Sequence, residues 1–256
     1  MIICQQIGAE PDAGGSTMAS RNRLRPLVAR RAVRALRENP DNTMQAIVAI
    51  GAMSGNSNER LFRRFKKSPK GAQILREKRD LYDLLSDQKR MLAMAPGSLG
   101  RTIVEWFIRE NISTEGLAGA SEAASKELGE TRELGGEARV FGNRLRNLHD
   151  VFHVVTGYDR DMRGEMAVLA FTLAQTGNTG IGYLVWRSLR NGGWNSELGR
   201  LIRQGFRRGR RAEWLLDQDW EALLEQPIEQ VRQKLGLGEP PVYEQLRSSG
   251  APALSA

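Results

Sequence analysis

Residues 146–177 read RNLHDVFHVVTGYDRDMRGEMAVLAFTLAQTG, and the order of polar and apolar residues in this stretch decides the architecture. The chain is strongly helical in pattern from Glu137 to about Thr156. Gly157–Asp161 is a short connection, and Met162–Gln175 is the next helix, broken by Thr176-Gly177-Asn178-Thr179-Gly180. His149 and His153 are the only histidines among 256 residues, and their four-residue spacing puts them on one helical face. Asp150 lies about 100° round from His149 and about 60° from His153, so three ligand-capable side chains share one patch. Glu165 stands in the following segment. The connection, with Gly157 and its charged residues, predicts an antiparallel return that turns Glu165 toward the first helix. Two imidazoles and two carboxylates then face one another.

The helical reading extends in both directions. Leu24, Leu27, Val28, Ala32, Ala35 and Leu36 recur at three- and four-residue steps up to Asn39-Pro40. Asp41 or Asn42 then caps a helix running through Met44, Ile47, Val48 and Ile50 toward Gly55. Further helical segments are expected over Asn58–Phe65 and over 71–94. The turn Pro96-Gly97-Ser98-Leu99-Gly100 starts a helix carrying Ile103, Val104, Trp106, Phe107 and Ile108. Residues 111–134, rich in Gly, Ser and Glu, read as a loop with one short helix. Helices are expected again at 181–190, 196–217 and Trp220–Leu235, the last interrupted by Pro227. No segment alternates with period two between hairpin turns. The fold class is therefore all-α: a single helical domain over 21–237, after a disordered lead-in at 1–20 and before a loose, proline-containing tail at 238–256.

Composition narrows the partners. The chain has 38 Lys+Arg against 30 Asp+Glu, a net charge of +8, which favours acidic headgroups, nucleic acid or a negatively charged small molecule. Arg200, Arg203, Arg207 and Arg210 lie near one helical face, Arg60, Arg63, Arg64, Lys66 and Lys67 surround Leu61, Phe62 and Phe65, and a third basic group spans Arg21 to Arg37. Such faces suit an anionic membrane surface, a solvated face being the plain alternative. No nucleic-acid module accompanies them, so nucleic acid is not an expected partner. The single cysteine, Cys4, excludes a disulfide framework and a cysteine-based zinc cluster. The first residues lack the basic and apolar regions of a signal peptide. The longest apolar run, Met166–Ala174, is too short to span a bilayer. A cytosolic or membrane-surface location is expected.

Any metal must be held by imidazole and carboxylate. Neutral imidazoles suit zinc, iron, manganese and cobalt, and carboxylates neutralise charge and harden the site. Four protein ligands or fewer leave positions for water and substrate, as in catalytic centres. Asp150 has two roles open to it: metal ligand, or partner that orients an imidazole. Zinc-protease chemistry fits poorly, because its signature puts Glu rather than Asp after the first histidine. Phosphohydrolases with an HD pair need a further histidine that this chain lacks.

The HDxxH pattern, followed after eleven residues by Glu165 in a GE…QTG context, strongly resembles the coenzyme Q biosynthesis protein 4 family. Pro96-Gly97-Ser98-Leu99-Gly100-Arg101 is similar to that family's PGSLGR turn, and Trp220-Glu221, Pro227 and Val231–Gly236 are similar to its closing helix. The similarity covers roughly residues 85–237. Thr102-Ile103 and Asn178-Thr179 depart from its usual residues.

The resemblance implies an all-α fold with a divalent metal between two consecutive helices, held by His149, Asp150, His153 and Glu165. Zinc is the implied ion, with iron, manganese, cobalt or magnesium open. The resemblance also implies peripheral attachment to the ubiquinone-bearing membrane, on its cytoplasmic face or the equivalent mitochondrial matrix face. The implied reaction is oxidative decarboxylation of a prenylated hydroxybenzoate precursor, its C1 carboxylate replaced by hydroxyl. Other ubiquinone-biosynthesis proteins are implied partners, and a homodimer is open. On this reading the substrate carboxylate meets the metal, Arg146 adds a second cationic contact, and Asp150 acts beside it. Met166, Leu169, Ala170 and Leu173 line an apolar tunnel or groove for the prenyl tail. The reaction removes electrons that zinc and magnesium cannot accept, so it needs a redox-active metal or an external oxidant. The alternative is a non-catalytic, prenyl-lipid-binding scaffold that organises the pathway's enzymes; a metal hydrolase for a prenyl phosphate is remoter.

Overall fold

Short polar side chains start most of the helices, and left-handed glycines end the two that carry the candidate site. The computed structural model describes residues 23–129 and 135–247. Helix α1 (Pro26–Glu38) begins on proline and packs on α2 (Thr43–Ser54), where Asn42 accepts the Gln45 amide at 3.2 Å. Helices α3 (Ser57–Lys67), α4 (Pro69–Arg76), α5 (Leu81–Ser86) and α6 (Gln88–Leu92) follow in quick succession. The single segment expected over 71–94 is thus three helices. Asp80 and Asp87 each accept a downstream amide and start a new one. Ser98 caps α7 (Leu99–Arg109).

The loop expected over 111–134 is instead mostly α8 (Thr114–Glu127), a 14-residue helix started by Ser113, which accepts the Gly116 amide at 3.1 Å. Its alanines favour helix without large side chains to mark the period, and buried Ala124 and Leu128 seat it against α2. Residues 130–134 and the lead-in at 1–20 lie outside the described residues.

Helices α9 (Gly136–Thr156) and α10 (Met162–Thr176) form the centre. They end at Gly157 and Gly177, whose φ values of 73° and 64° suit a residue without Cβ. Then come α11 (Thr179–Gly192), capped by Asn178, and α12 (Glu197–Arg211), capped by Ser196. Helix α12 crosses α10 with Gly205 and Gly209 pressed on the backbone of Ala167 and Phe171. A 3-10 turn (Leu215–Asp217), α13 (Trp220–Leu223) and α14 (Ile228–Lys234) complete the domain. The break at Pro227 is braced by the Pro96–Gly100 turn: Ile228 donates to the Gly97 carbonyl at 3.0 Å, and Leu99 to the Gln226 carbonyl at 2.9 Å. The fold is all-α; an isolated bridge between Ser98 and Pro227 is the only strand-like pairing among the described residues.

Of the tail expected to be loose over 238–256, residues 248–256 lie outside the described residues, and residues 239–247 are irregular but hydrogen-bonded to the domain. The Tyr243 hydroxyl donates to Asp161 at 2.6 Å and accepts the Asp159 amide at 2.9 Å. The Leu246 amide donates to Asp161 at 3.0 Å, and the Met162 amide to the Leu246 carbonyl at 2.9 Å. Arg247 pairs with the buried Glu110 at 2.9 Å. These bonds converge on the start of α10, one turn from Glu165.

Candidate metal centre

Helix α9 is buried without interruption from Asn147 to Thr156, so its two imidazoles project into the protein. His149 is 7% exposed and His153 1%. Gly157 reverses the chain and brings the Tyr158 carbonyl 2.8 Å from His153 Nδ1. A carbonyl only accepts, so Nδ1 carries the proton and the Nε2 lone pair is left for the cavity side. The Trp106 ring stacks on His153, centroids 5.3 Å apart at 22°, which fixes the plane of the imidazole.

Glu165 reaches the same point from the first turn of α10. Asp161 caps that helix, accepting the Arg163 and Gly164 amides at 3.0 and 3.3 Å. One carboxylate oxygen of Glu165 lies 3.1 Å from His153 Nε2 and the other 3.3 Å from His149 Nε2; the two Nε2 atoms are 3.2 Å apart. Donor atoms bound to one cation at about 2.0–2.2 Å sit about 3.0–3.5 Å from one another, so the triangle has the size a zinc-like ion requires.

The charges agree. Burial pushes the His149 imidazolium down to about 4, leaving a neutral ring at pH 7. Burial works against charge on Glu165 too, but the two imidazoles outweigh it and hold the carboxyl well below the usual range. For His153, burial is outweighed by Glu165 and the Tyr158 carbonyl, and its pKa is raised. A neutral His149 with its proton on Nε2 can donate to Glu165 or to His153 across these distances. With that proton on Nδ1 instead, both Nε2 lone pairs and the carboxylate face one point, and that donor set fits a divalent ion.

The cluster opens on a cavity of about 880 Å³ bounded by α1, α2, α8, α9, α10, α11 and the turn before α12. Its walls are apolar at Val33, Leu36, Ile112, Met166, Leu169 and Leu184.

The family model for the Coenzyme Q (ubiquinone) biosynthesis protein Coq4 matches residues 20–122 and 135–241. The chain belongs to the Coq4 family. Coq4 relatives include the mitochondrial ubiquinone biosynthesis protein of Yarrowia lipolytica, 29% identical over 192 residues, 72% of this chain and 68% of the relative. That of Botryotinia fuckeliana is 27% identical over 175 residues, 68% of this chain and 59% of the relative. The Bos taurus homologue is 28% identical over 200 residues, 77% and 72% of the two chains. The chain thus spans about three fifths to three quarters of these relatives' lengths. In fold it is similar to a crystal structure of a Nostoc punctiforme protein ascribed to ubiquinone biosynthesis, with a TM-score of 0.58 at 18% identity over 85% of this chain and all of that one.

Within this Coq4 domain His149, His153 and Glu165 meet, and the other expected residues divide. Asp150 lines the cavity beside the cluster but is not one of the three converging groups. It does not orient His153, because the Tyr158 carbonyl holds that ring. Arg146 is not in the cavity wall: it bonds Asn143 at 2.9 Å and lies over the Tyr82 ring at 5.7 Å. Its direction on α9 is close to that of the imidazoles, about 60° from His149 and about 20° from His153, but it stands a turn or more nearer the start of the helix, where Tyr82 of α5 captures it. Met166 and Leu169 line the cavity, whereas fully buried Ala170 does not and Leu173 lies against Gly182 of α11. Sequence reading missed Arg160, Arg163 and Arg187 in the wall. The first two flank the motif and were visible there; Arg187 arrives through the fold alone.

Proposed function

We propose that this chain is a metal-dependent enzyme of ubiquinone biosynthesis that replaces the C1 carboxylate of a prenylated hydroxybenzoate by hydroxyl, working at a membrane surface. One observation carries the reading: three donor atoms spaced for a single cation lie in the wall of a large, mostly apolar cavity. A bound divalent ion would supply stabilisation of the negative charge that develops as CO2 leaves. His149, His153 and Glu165 would hold it, and the Tyr158 carbonyl, by taking the Nδ1 proton, leaves the His153 Nε2 lone pair on the cluster side. The Asp150 carboxylate accepts no hydrogen bond from a described residue and lines the same cavity, where it takes the proton of the ring hydroxyl. Met166, Leu169 and Leu184 exclude water along the prenyl chain. With water as the source of the hydroxyl oxygen, the exchange ArCOOH + H2O → ArOH + CO2 + 2H+ + 2e− releases two electrons, which pass to an external oxidant, directly or one at a time through a redox-active ion.

Deleting the gene in its host should accumulate a precursor that keeps its ring carboxylate, detected by mass spectrometry. Wild-type protein should restore ubiquinone, and a His153→Ala variant should not. A normal ubiquinone pool in the deletion strain excludes the reading, and full rescue by the variant would favour the scaffold role.

The membrane part of the reading rests on an exposed aromatic and basic surface beside the cavity. No helix among the described residues is long and apolar enough to cross a membrane. Trp186 and Trp194 are 50% and 60% exposed, and each carries an arginine: Arg190 over Trp186 at 5.5 Å and Arg203 over Trp194 at 4.7 Å. Phe206, Arg207 and Arg210 are exposed on α12. Asn191, Gly192 and Ser196, next to Trp194, line the cavity, so its mouth opens beside these rings. Tryptophan and arginine together suit an anionic lipid interface. The protein should float with vesicles containing acidic lipid. A double Arg207→Glu, Arg210→Glu variant should bind them at least about tenfold more weakly, at about 1 kcal/mol per basic residue before reversal is counted. Equal flotation of variant and wild type would remove this face from the account.

A further inference from the structure

The cavity wall carries a cation that the metal cluster does not use. Arg37, Arg160, Arg163 and Arg187 all line the cavity. Arg37 is exposed at its rim. Arg160 donates to the Glu110 carbonyl at 3.3 Å, and Arg163 pairs with Glu244 at 2.9 Å. Arg187 differs. It is half-buried on α11, and no described residue offers its guanidinium a hydrogen bond or a carboxylate. Its Nε is sealed from solvent and unpaired.

A sealed donor without an acceptor is unfavourable, and native proteins rarely leave one without a reason. The guanidinium is a planar fork that matches the two oxygens of a carboxylate. Its position is informative as well. Ser188, the next residue, donates to Met166 Sδ at 3.0 Å, and Met166 follows Glu165 in the chain. Arg187 therefore stands on the α11 wall of the same cavity, next in sequence to the residue that touches Met166, with the apolar Leu184 one turn before it.

We propose that Arg187 is the anion anchor of this cavity and binds the carboxylate of the aromatic acid alongside the cation site. The inference rests on the aromatic-acid reading above. It assigns to Arg187 the cationic contact that Arg146, held over Tyr82, does not make.

Metal-free, full-length protein titrated with 3-farnesyl-4-hydroxybenzoate and with its carboxamide tests this without the metal competing for the carboxylate. Wild-type protein should bind the acid about ten- to a hundredfold more tightly than the amide, the range expected of a charge-assisted bidentate pair. Arg187→Gln should bind both compounds equally, and Arg187→Lys should keep part of the preference. Zinc uptake and melting temperature of Arg187→Gln should match wild type, which separates loss of the anchor from loss of the fold. An Arg187→Gln protein that still prefers the acid overturns the proposal and leaves the aromatic-acid reading standing. If wild type binds neither compound, that reading falls, and farnesoic acid against farnesol decides the anchor. A preference for the acid that vanishes in Arg187→Gln upholds it; no preference in wild type overturns it.

Discussion

Replacing His153 with alanine will cost the protein its tight divalent-cation site, lowering zinc affinity by more than about a hundredfold, since loss of a mere supporting partner already costs about 10–100-fold. Three separate contacts make this residue decisive. Its Nε2 faces both Glu165, at 3.1 Å, and His149, at 3.2 Å, so its removal opens the triangle on two sides. Its Nδ1 bonds the Tyr158 carbonyl at 2.8 Å, and alanine leaves that carbonyl unsatisfied in a buried turn. Its ring supports Trp106. The metal-free variant should therefore also lose about 1–3 kcal/mol of stability from the orphaned carbonyl and the space left behind. Glu165→Gln separates the two effects. It keeps the side-chain volume and removes the charge, so affinity should fall with little change in the metal-free melting curve. Competition with a chromophoric chelator reads the affinity, and urea unfolding the stability. An unchanged zinc affinity in His153→Ala would remove that residue from the cation site.

Gly205→Leu is expected to destabilise the domain by about 3 kcal/mol, the upper end for overpacking, or about 6–12 °C in Tm for a chain of this size. At most helical positions a residue with Cβ would gain about 1 kcal/mol over glycine. Here a Cβ would fall on the Ala167 carbonyl oxygen, and backbone cannot move aside as a side chain can. Gly209, one turn later, meets the Phe171 carbonyl in the same way, with a Cβ only 2.6 Å from its oxygen. The helices can relieve the clash only by separating. Ala167 lies two residues beyond Glu165 on α10, so separation also displaces a metal ligand, and zinc affinity should fall with Tm. Gly119 is the control: it is exposed on α8, and a Cβ there meets nothing. Gly119→Ala should stabilise by up to about 1 kcal/mol. Calorimetry of both variants reads the opposite signs directly; a neutral Gly205→Leu would mean that α10 and α12 do not cross through their glycines.

The contrast between these glycines marks what a sequence discloses. The motif helices were legible because their signals are local: Asp161 and Gly157 mark the ends, and the four-residue histidine spacing sets the face. Helix α8 was not, because alanine favours helix while adding nothing to the apolar period. The anchoring of residues 239–247 was not, because Tyr243 is held by Asp161, 82 residues earlier in the chain. The same limit governs the site. His149, His153 and Glu165 were readable from spacing and a short return. The Tyr158 carbonyl that fixes the His153 tautomer is a backbone atom with no sequence signature. Arg146 is adjacent in sequence yet held outside the cavity wall, and Arg187 is distant in sequence yet in the wall. Angular position on a helix predicts a neighbour only where no other helix competes for the side chain, and α5 competes for Arg146.

Metal analysis and X-ray diffraction at the zinc edge, on protein loaded with one equivalent of zinc, decide whether this cluster is a metal centre. One ion per chain is expected, about 2.0–2.2 Å from His149 Nε2, His153 Nε2 and a Glu165 oxygen. An ion bound elsewhere, or none retained at one equivalent, would contradict it.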